Sequence, residues 1–115
     1  MIENKRETGA KYEELAAQYL VNSGYKIIEL NYRIKTGEID IIASDINTIV
    51  FCEVKYRRTN QYGYPEEAVN YIKQSKIRKT ASYYLLTKKY PENTPVRFDV
   101  VSILGNEIKL IKDAF

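Results

Sequence analysis

Four ionisable side chains stand at spacings suited to holding a metal ion: Glu38 and Asp40, then Glu53 and Lys55. Each pair skips one residue, so on an extended strand its members share a face. Between the pairs, Asp45-Ile46-Asn47-Thr48 reads as a turn. A two-residue loop at Ile46-Asn47 would fold the flanking segments into a hairpin. In that register Asp40 lies directly across from Glu53, and Glu38 lies across from Lys55. Opposed residues carry Cβ atoms roughly 5 Å apart. Two carboxylates at about 5 Å repel by about 3 kcal/mol at an effective dielectric of about 20. Lys55 offsets part of this repulsion. A hard divalent cation, Mg²⁺ or Mn²⁺, offsets more of it, because it favours one or two carboxylates together with water and substrate phosphate. Such an ion can orient a nucleophilic water and neutralise charge developing on a phosphodiester. The same residues would also suit an amphipathic strand whose Glu-x-Lys pair faces water. Their neighbours favour a site: Ile42 lies opposite Phe51 on one face, and Ile39, Ile41, Val50, Cys52 and Val54 occupy the other.

The elements that must position these residues can be read from periodicity. Residues 8–23 carry Tyr12, Leu15, Ala16, Tyr19 and Leu20 at helical spacing, with Thr8 as a cap and Gly24 as a stop. Glu13 falls on the border of that apolar stripe and so is a third candidate acid. Strands are expected over 25–32, 38–44 and 49–56. A loop follows to Pro65, where Glu66 and Glu67 suit a helix start. A longer helix is expected from Asn70 to about Lys88, with the stripe Ile77, Ala81, Tyr84 and Leu85. That stripe extends back onto Lys73 and Gln74, two polar side chains that need partners. Strands over 96–104 and 107–111 flank the turn Gly105-Asn106. The order is αβββαββ.

Composition narrows the chemistry. The chain has 115 residues, enough for one domain and one core. It has no histidine and a single cysteine, Cys52. Ser-His-Asp catalysis, histidine-bearing zinc sites, internal disulfides and cysteine-cluster metal sites are therefore excluded. Net charge is only +3, but residues 54–90 hold nine basic residues against Glu66 and Glu67, a net of +7. This basic stretch, with Arg57, Arg58, Lys73 and Lys76 as candidate phosphate contacts, fits a nucleic-acid partner, DNA foremost. Met1–Arg6 has no apolar segment of a secretory leader. No uncharged apolar run approaches the roughly 18 residues of a membrane helix. A reduced, cytoplasmic protein with no membrane partner is expected.

Together these residues resemble a known family. Asp40 followed by Glu53-Val54-Lys55, with Glu13 on an earlier helix and Gln74 on a later one, resembles the PD-(D/E)xK nuclease superfamily. Gly37-Glu38-Ile39-Asp40-Ile41-Ile42, Phe51-Cys52-Glu53-Val54-Lys55-Tyr56-Arg57, Glu66-Glu67-Ala68-Val69, Lys73-Gln74 and Arg97-Phe98-Asp99-Val100-Val101 resemble the YraN-like bacterial family, from about Gly9 to Val101. The layout is similar to that of archaeal Holliday junction resolvases. The resemblance implies a restriction-endonuclease-like α/β fold, a three-layer core whose mixed sheet is flanked by helices. It implies that Asp40, Glu53 and Glu13 bind Mg²⁺ or Mn²⁺, and that Lys55 positions or activates the attacking water. Gln74 matches a glutamine that follows the motif in some relatives. Ile39 replaces the usual proline before the aspartate, which removes no ligand. The function so implied is metal-dependent hydrolysis of DNA phosphodiesters, on branched or damaged substrates. The alternative is a non-catalytic nucleic-acid-binding or protein-interaction module of the same fold. Eleven tyrosines would suit an interface, and a homodimer is allowed.

Overall fold

The computed structural model describes residues 5–115, with side chains from Thr8 onward. The leader-free reading of the N-terminus thus falls largely outside the described residues. Helix α1 spans Lys5–Asn22 and β1 spans Lys26–Ile34. Strands β2 (Gly37–Asp45) and β3 (Thr48–Arg57) follow, then a single 3-10 turn at Pro65–Ala68. Helix α2 runs Tyr71–Thr87, and β4 (Val96–Leu104) and β5 (Glu107–Ile111) complete the chain. The order αβββαββ is as expected.

One sheet carries the strands in the order β1-β2-β3-β4-β5. Neighbours are antiparallel except β3 and β4, which run parallel. A parallel pair needs a crossover, and α2 supplies it. The two helices cover opposite faces, so the layering is helix, sheet, helix. Ala16 and Leu20 of α1 pack on Ile41, Ala43, Val50, Cys52, Val101 and Ile103. Ile77, Ala81 and Tyr84 of α2 pack on Ile39, Ile42, Phe51 and Val100. Strands β2 and β3 are therefore apolar on both faces, which is why their sequences read as near-continuous hydrophobic runs.

The helix ends follow local chemistry. Gly24 takes φ +95°, a conformation costly for any residue with a Cβ, and terminates α1. Asn70 caps α2, its Oδ1 accepting from Lys73 N at 3.0 Å. Thr8 is not a cap, because the helix already begins at Lys5. No glycine or proline lies between Lys5 and Thr8 to stop it. Leu15 belongs to the helical stripe by spacing but lies on its outer side, exposed.

A buried ion-pair network joins β4 to Tyr25 before β1, to Asp45 at the end of β2 and to Asp113 after β5. The fully buried Asp99 carboxylate accepts from Arg97 Nε at 2.8 Å, Tyr25 Oη at 3.1 Å and Asp113 N at 3.0 Å. Arg97 Nη1 also reaches Asp45 Oδ2 at 3.1 Å, and its Nη2 contacts the Tyr25 hydroxyl. Three separate chain segments thus meet at one carboxylate, with its acceptor capacity filled, and Arg97 links Asp45 to it as a fourth.

Gly37 opens β2 and lets α2 approach closely. A Cβ there would lie 2.6 Å from Thr80 Oγ1. Gly37→Ala is expected to lower unfolding free energy by about 1–3 kcal/mol, as overpacking does. Adding Thr80→Ala should return most of that loss, since the two sites share one contact. Denaturant titration of the two single variants and the double variant checks this; strictly additive losses would remove the contact from the argument.

Candidate functional site

The β2–β3 ladder follows the register set by the Ile46-Asn47 loop, from Asp45↔Thr48 to Ile41↔Cys52. It then stops. Asp40 and Glu53 are not a ladder pair, which corrects the expectation of direct opposition. Asp40 Oδ2 instead accepts from the backbone N–H of Val54 at 2.9 Å. The β1–β2 ladder skips the same residue, passing from Leu30↔Ile41 to Tyr32↔Ile39. Asn31, which would pair there, takes φ +53°, a left-handed conformation that asparagine tolerates better than most residues. Asp40 therefore sits where β3 parts from β2 and where β1 skips one pair before resuming at Tyr32↔Ile39. Side-chain phase also slips here. Ile41 faces α1 while Ile39 faces α2, so the two do not share a face as simple alternation predicts.

The opening collects carboxylates from three elements. Carboxyl oxygens of Glu13, Glu38 and Asp40 lie within 4.8 Å of one another. Glu13 reaches in from α1 and contacts both Asn31 and Asp40. Its carboxyl is shifted upward by burial, then by the charges of Asp40 and Glu38. On the other side of Asp40, Glu53 is only 4% exposed. Its carboxyl meets that of Asp40, and burial followed by the Asp40 charge pushes it up to about 8. Lys73 Nζ at 3.7 Å and Lys55 Nζ at 3.9 Å from Glu53 Oε1 pull in the opposite direction. Burial and the neighbouring carboxylate win. Glu38 does not face Lys55 as expected; it pairs with Arg33 at 3.0 Å.

These groups line an open recess of about 710 Å³, together with Asn31 and Arg33. The donor set is all hard oxygen, which suits Mg²⁺ or Mn²⁺ and not a soft metal. A cation here would relieve the Asp40 repulsion that, after burial, raises the Glu53 carboxyl.

The sequence profile of the uncharacterised protein family UPF0102 matches residues 12–103, a span that holds every one of these carboxylates. The chain belongs to the UPF0102 family. A UPF0102 protein of Lachnoclostridium phytofermentans is 52% identical over 112 residues, covering 97% of this chain and 95% of that protein. One from Fusobacterium nucleatum is 50% identical over 110 residues, covering 96% and 92%. One from Persephonella marina is 50% identical over 107 residues, covering 93% and 91%.

Not every candidate residue reaches this carboxylate cluster. Lys73 does, through Glu53. Gln74 does not: its Nε2 donates to the Val69 carbonyl at 3.0 Å, and the side chain lines a different recess with Val100 and Phe115. The carbonyl just before α2 is simply the nearer acceptor. Arg57 Nη1 donates to the Tyr62 carbonyl at 2.9 Å. Arg57 and Arg58 line a separate recess with Thr59 and Tyr62, beyond the carboxylate rim. Lys76 is exposed on α2 and does not line the carboxylate recess. Sequence reasoning missed Asn31 and Arg33. The one available signal was an asparagine, a turn-favouring residue, inside a β-prone run.

The raised carboxyls set the sign of a pH effect. Folded Glu53 keeps its proton to about 8, whereas the unfolded chain releases it near 4.5. Folding therefore takes up a proton between these values, and stability present at low pH is lost as pH rises through the folded value. Glu13 adds in the same direction. The melting temperature without metal should fall from pH 5 to pH 8, and Mg²⁺ should recover it at pH 8. Glu53→Gln should flatten the pH profile; an unchanged profile in that variant would remove Glu53 as its source.

Proposed function

We propose that this chain is a metal-dependent nuclease that hydrolyses phosphodiester bonds of DNA, with a restriction-endonuclease-like core, acting in the cytoplasm. The observation that carries the reading is the Asp40–Glu53 carboxyl contact at the parted strands, with Lys55 and Lys73 both within 4 Å of one Glu53 oxygen. Structural carboxylates are seldom packed against one another on a buried strand end, because the arrangement costs stability without a bound cation.

Asp40, Glu53 and Glu13 are the residues that would hold Mg²⁺ or Mn²⁺, with Glu38 beside them. The ion would supply charge neutralisation at the phosphate and a more acidic water. Lys55 stands on the same strand as Glu53, two residues on, and its ammonium can orient that water or stabilise charge as it develops. Lys73 and Arg33 give the recess positive edges that attract a phosphate. Arg57, Arg58 and Lys76 lie farther out and would meet neighbouring backbone phosphates. Exposed Tyr71, Ile72 and Leu86 on α2 favour a second, compatible reading, in which that helix meets another protein or a second copy. Sedimentation at a single mass equal to the monomer over a wide concentration range would count against the second copy.

Mg²⁺ and Mn²⁺ titrations of the wild type and Asp40→Asn, read by cleavage of duplex, single-stranded and four-way DNA, test the main reading. The wild type should cleave in a metal-dependent way and Asp40→Asn should not. Lys55→Ala should lower the single-turnover rate by about 10²–10⁴-fold while weakening DNA binding far less. Recovery of full cleavage in Lys55→Ala by extra metal alone would make Lys55 a charge-balancing residue and not a catalytic one.

A further inference from the structure

Each of the three acids gathered at the recess, Glu13, Glu38 and Asp40, is met by a donor from the chain around it. The Val54 N–H donates to Asp40 at 2.9 Å. Arg33 Nη2 donates to Glu38 Oε2 at 3.0 Å. The side-chain amide of Asn31 donates to Glu13. This last contact joins two elements, since Glu13 stands on α1 and Asn31 on the edge strand β1. Asn31 and Arg33 are two residues apart on β1, and both line the carboxylate recess.

The backbone at Asn31 departs from the strand around it. The β1–β2 ladder passes from Leu30↔Ile41 to Tyr32↔Ile39 and leaves out Asn31 and Asp40. Asn31 takes φ +53° there. Glycine would serve that backbone with no steric cost. What glycine lacks is the amide that reaches Glu13. A neutral donor also differs from a lysine or arginine at this point. It orients the carboxylate without cancelling the charge that a cation requires, as the outer partners of metal ligands do. Arg33 is a weaker candidate for the same role, because its side chain is 73% exposed and surface ion pairs hold geometry poorly.

We propose that Asn31 is a positioning residue, whose amide holds the Glu13 carboxylate toward Asp40 and Glu38 and so sets the affinity of the metal site. This rests on the metal-binding part of the proposed function and deepens it: the site depends on a residue that does not itself touch the ion.

The test compares Mn²⁺ affinity with stability. Mn²⁺ is titrated into the wild type, Asn31→Gly, Glu13→Gln and the double variant, and the free ion is read by electron paramagnetic resonance. Asn31→Gly should bind Mn²⁺ about tenfold or more weakly, the effect of losing a partner that orients a metal ligand. Its metal-free melting temperature should stay close to that of the wild type. The double variant should bind as Glu13→Gln alone does, because Asn31 acts only through Glu13. Asn31→Ala also lacks the amide and takes the place of the glycine variant if that one does not fold. Undiminished Mn²⁺ affinity in Asn31→Gly overturns this inference and leaves the metal site standing. A further loss in the double variant, below Glu13→Gln, also overturns it. The expected pattern of Mn²⁺ binding with no DNA cleavage by the wild type upholds this inference and removes the nuclease reading. Absence of Mn²⁺ binding by the wild type overturns both together.

Discussion

Asp40 takes the place of a backbone partner in this sheet. Where β2 and β3 part, its carboxylate accepts the Val54 N–H that a β2 carbonyl would otherwise bond. That single hydrogen bond lets the strands separate without leaving a buried donor unmet. It also fixes a negative charge against buried Glu53 and within reach of Glu13. The opened strands, the collection of acids and the recess depend on this substitution of side chain for main chain. The surrounding structure is arranged to tolerate it. Asn31 leaves the β1 ladder for one residue on one side, and Lys55 and Lys73 bring positive charge on the other.

On β4, one register row from Glu53, the sheet solves the reverse problem. Asp99 is as buried as any residue in the core, yet its charge is met by Arg97, a tyrosine hydroxyl and a backbone N–H. β4 holds a carboxylate whose bonds are filled; β2 and β3 hold carboxylates that face each other. The contrast separates a buried carboxylate whose partners are all hydrogen-bond donors from one set against another acid. Burial alone does not distinguish them, since Glu53 and Asp99 are both below a tenth exposed.

Much of this was legible in the sequence, for reasons tied to particular residues. Gly24, Asn70 and Gly105-Asn106 act through local geometry, so the element order could be read without tertiary information. The two-residue loop at Ile46-Asn47 determined the hairpin register, because loop length and register are linked. The parting of strands at Asp40 was not legible. Alternation assumes an unbroken ladder, and the skipped pair on the β1 side falls at Asn31, which belongs to a different strand. Gln74 and Arg57 failed for another reason. Both are long, polar and flexible, and both took a backbone carbonyl close by in sequence over a partner across the fold. Periodicity tells which way such a side chain points, but not which of several acceptors it finds.

The parallel pairing of β3 with β4 has a consequence for the order of assembly. β1, β2 and β3 are joined by short turns, so Asp40 and Glu53 can meet with little loop-closure entropy. Lys73 lies on α2, whose final seat is established only when the chain returns to pair Ile49 with Val96. Such distant pairings form slowly compared with hairpins. The acids are thus brought together by the early, local part of the chain, and one of the two lysines that balance them comes with the late part. Until α2 is seated, Lys55 on β3 is the one of the two already beside Glu53.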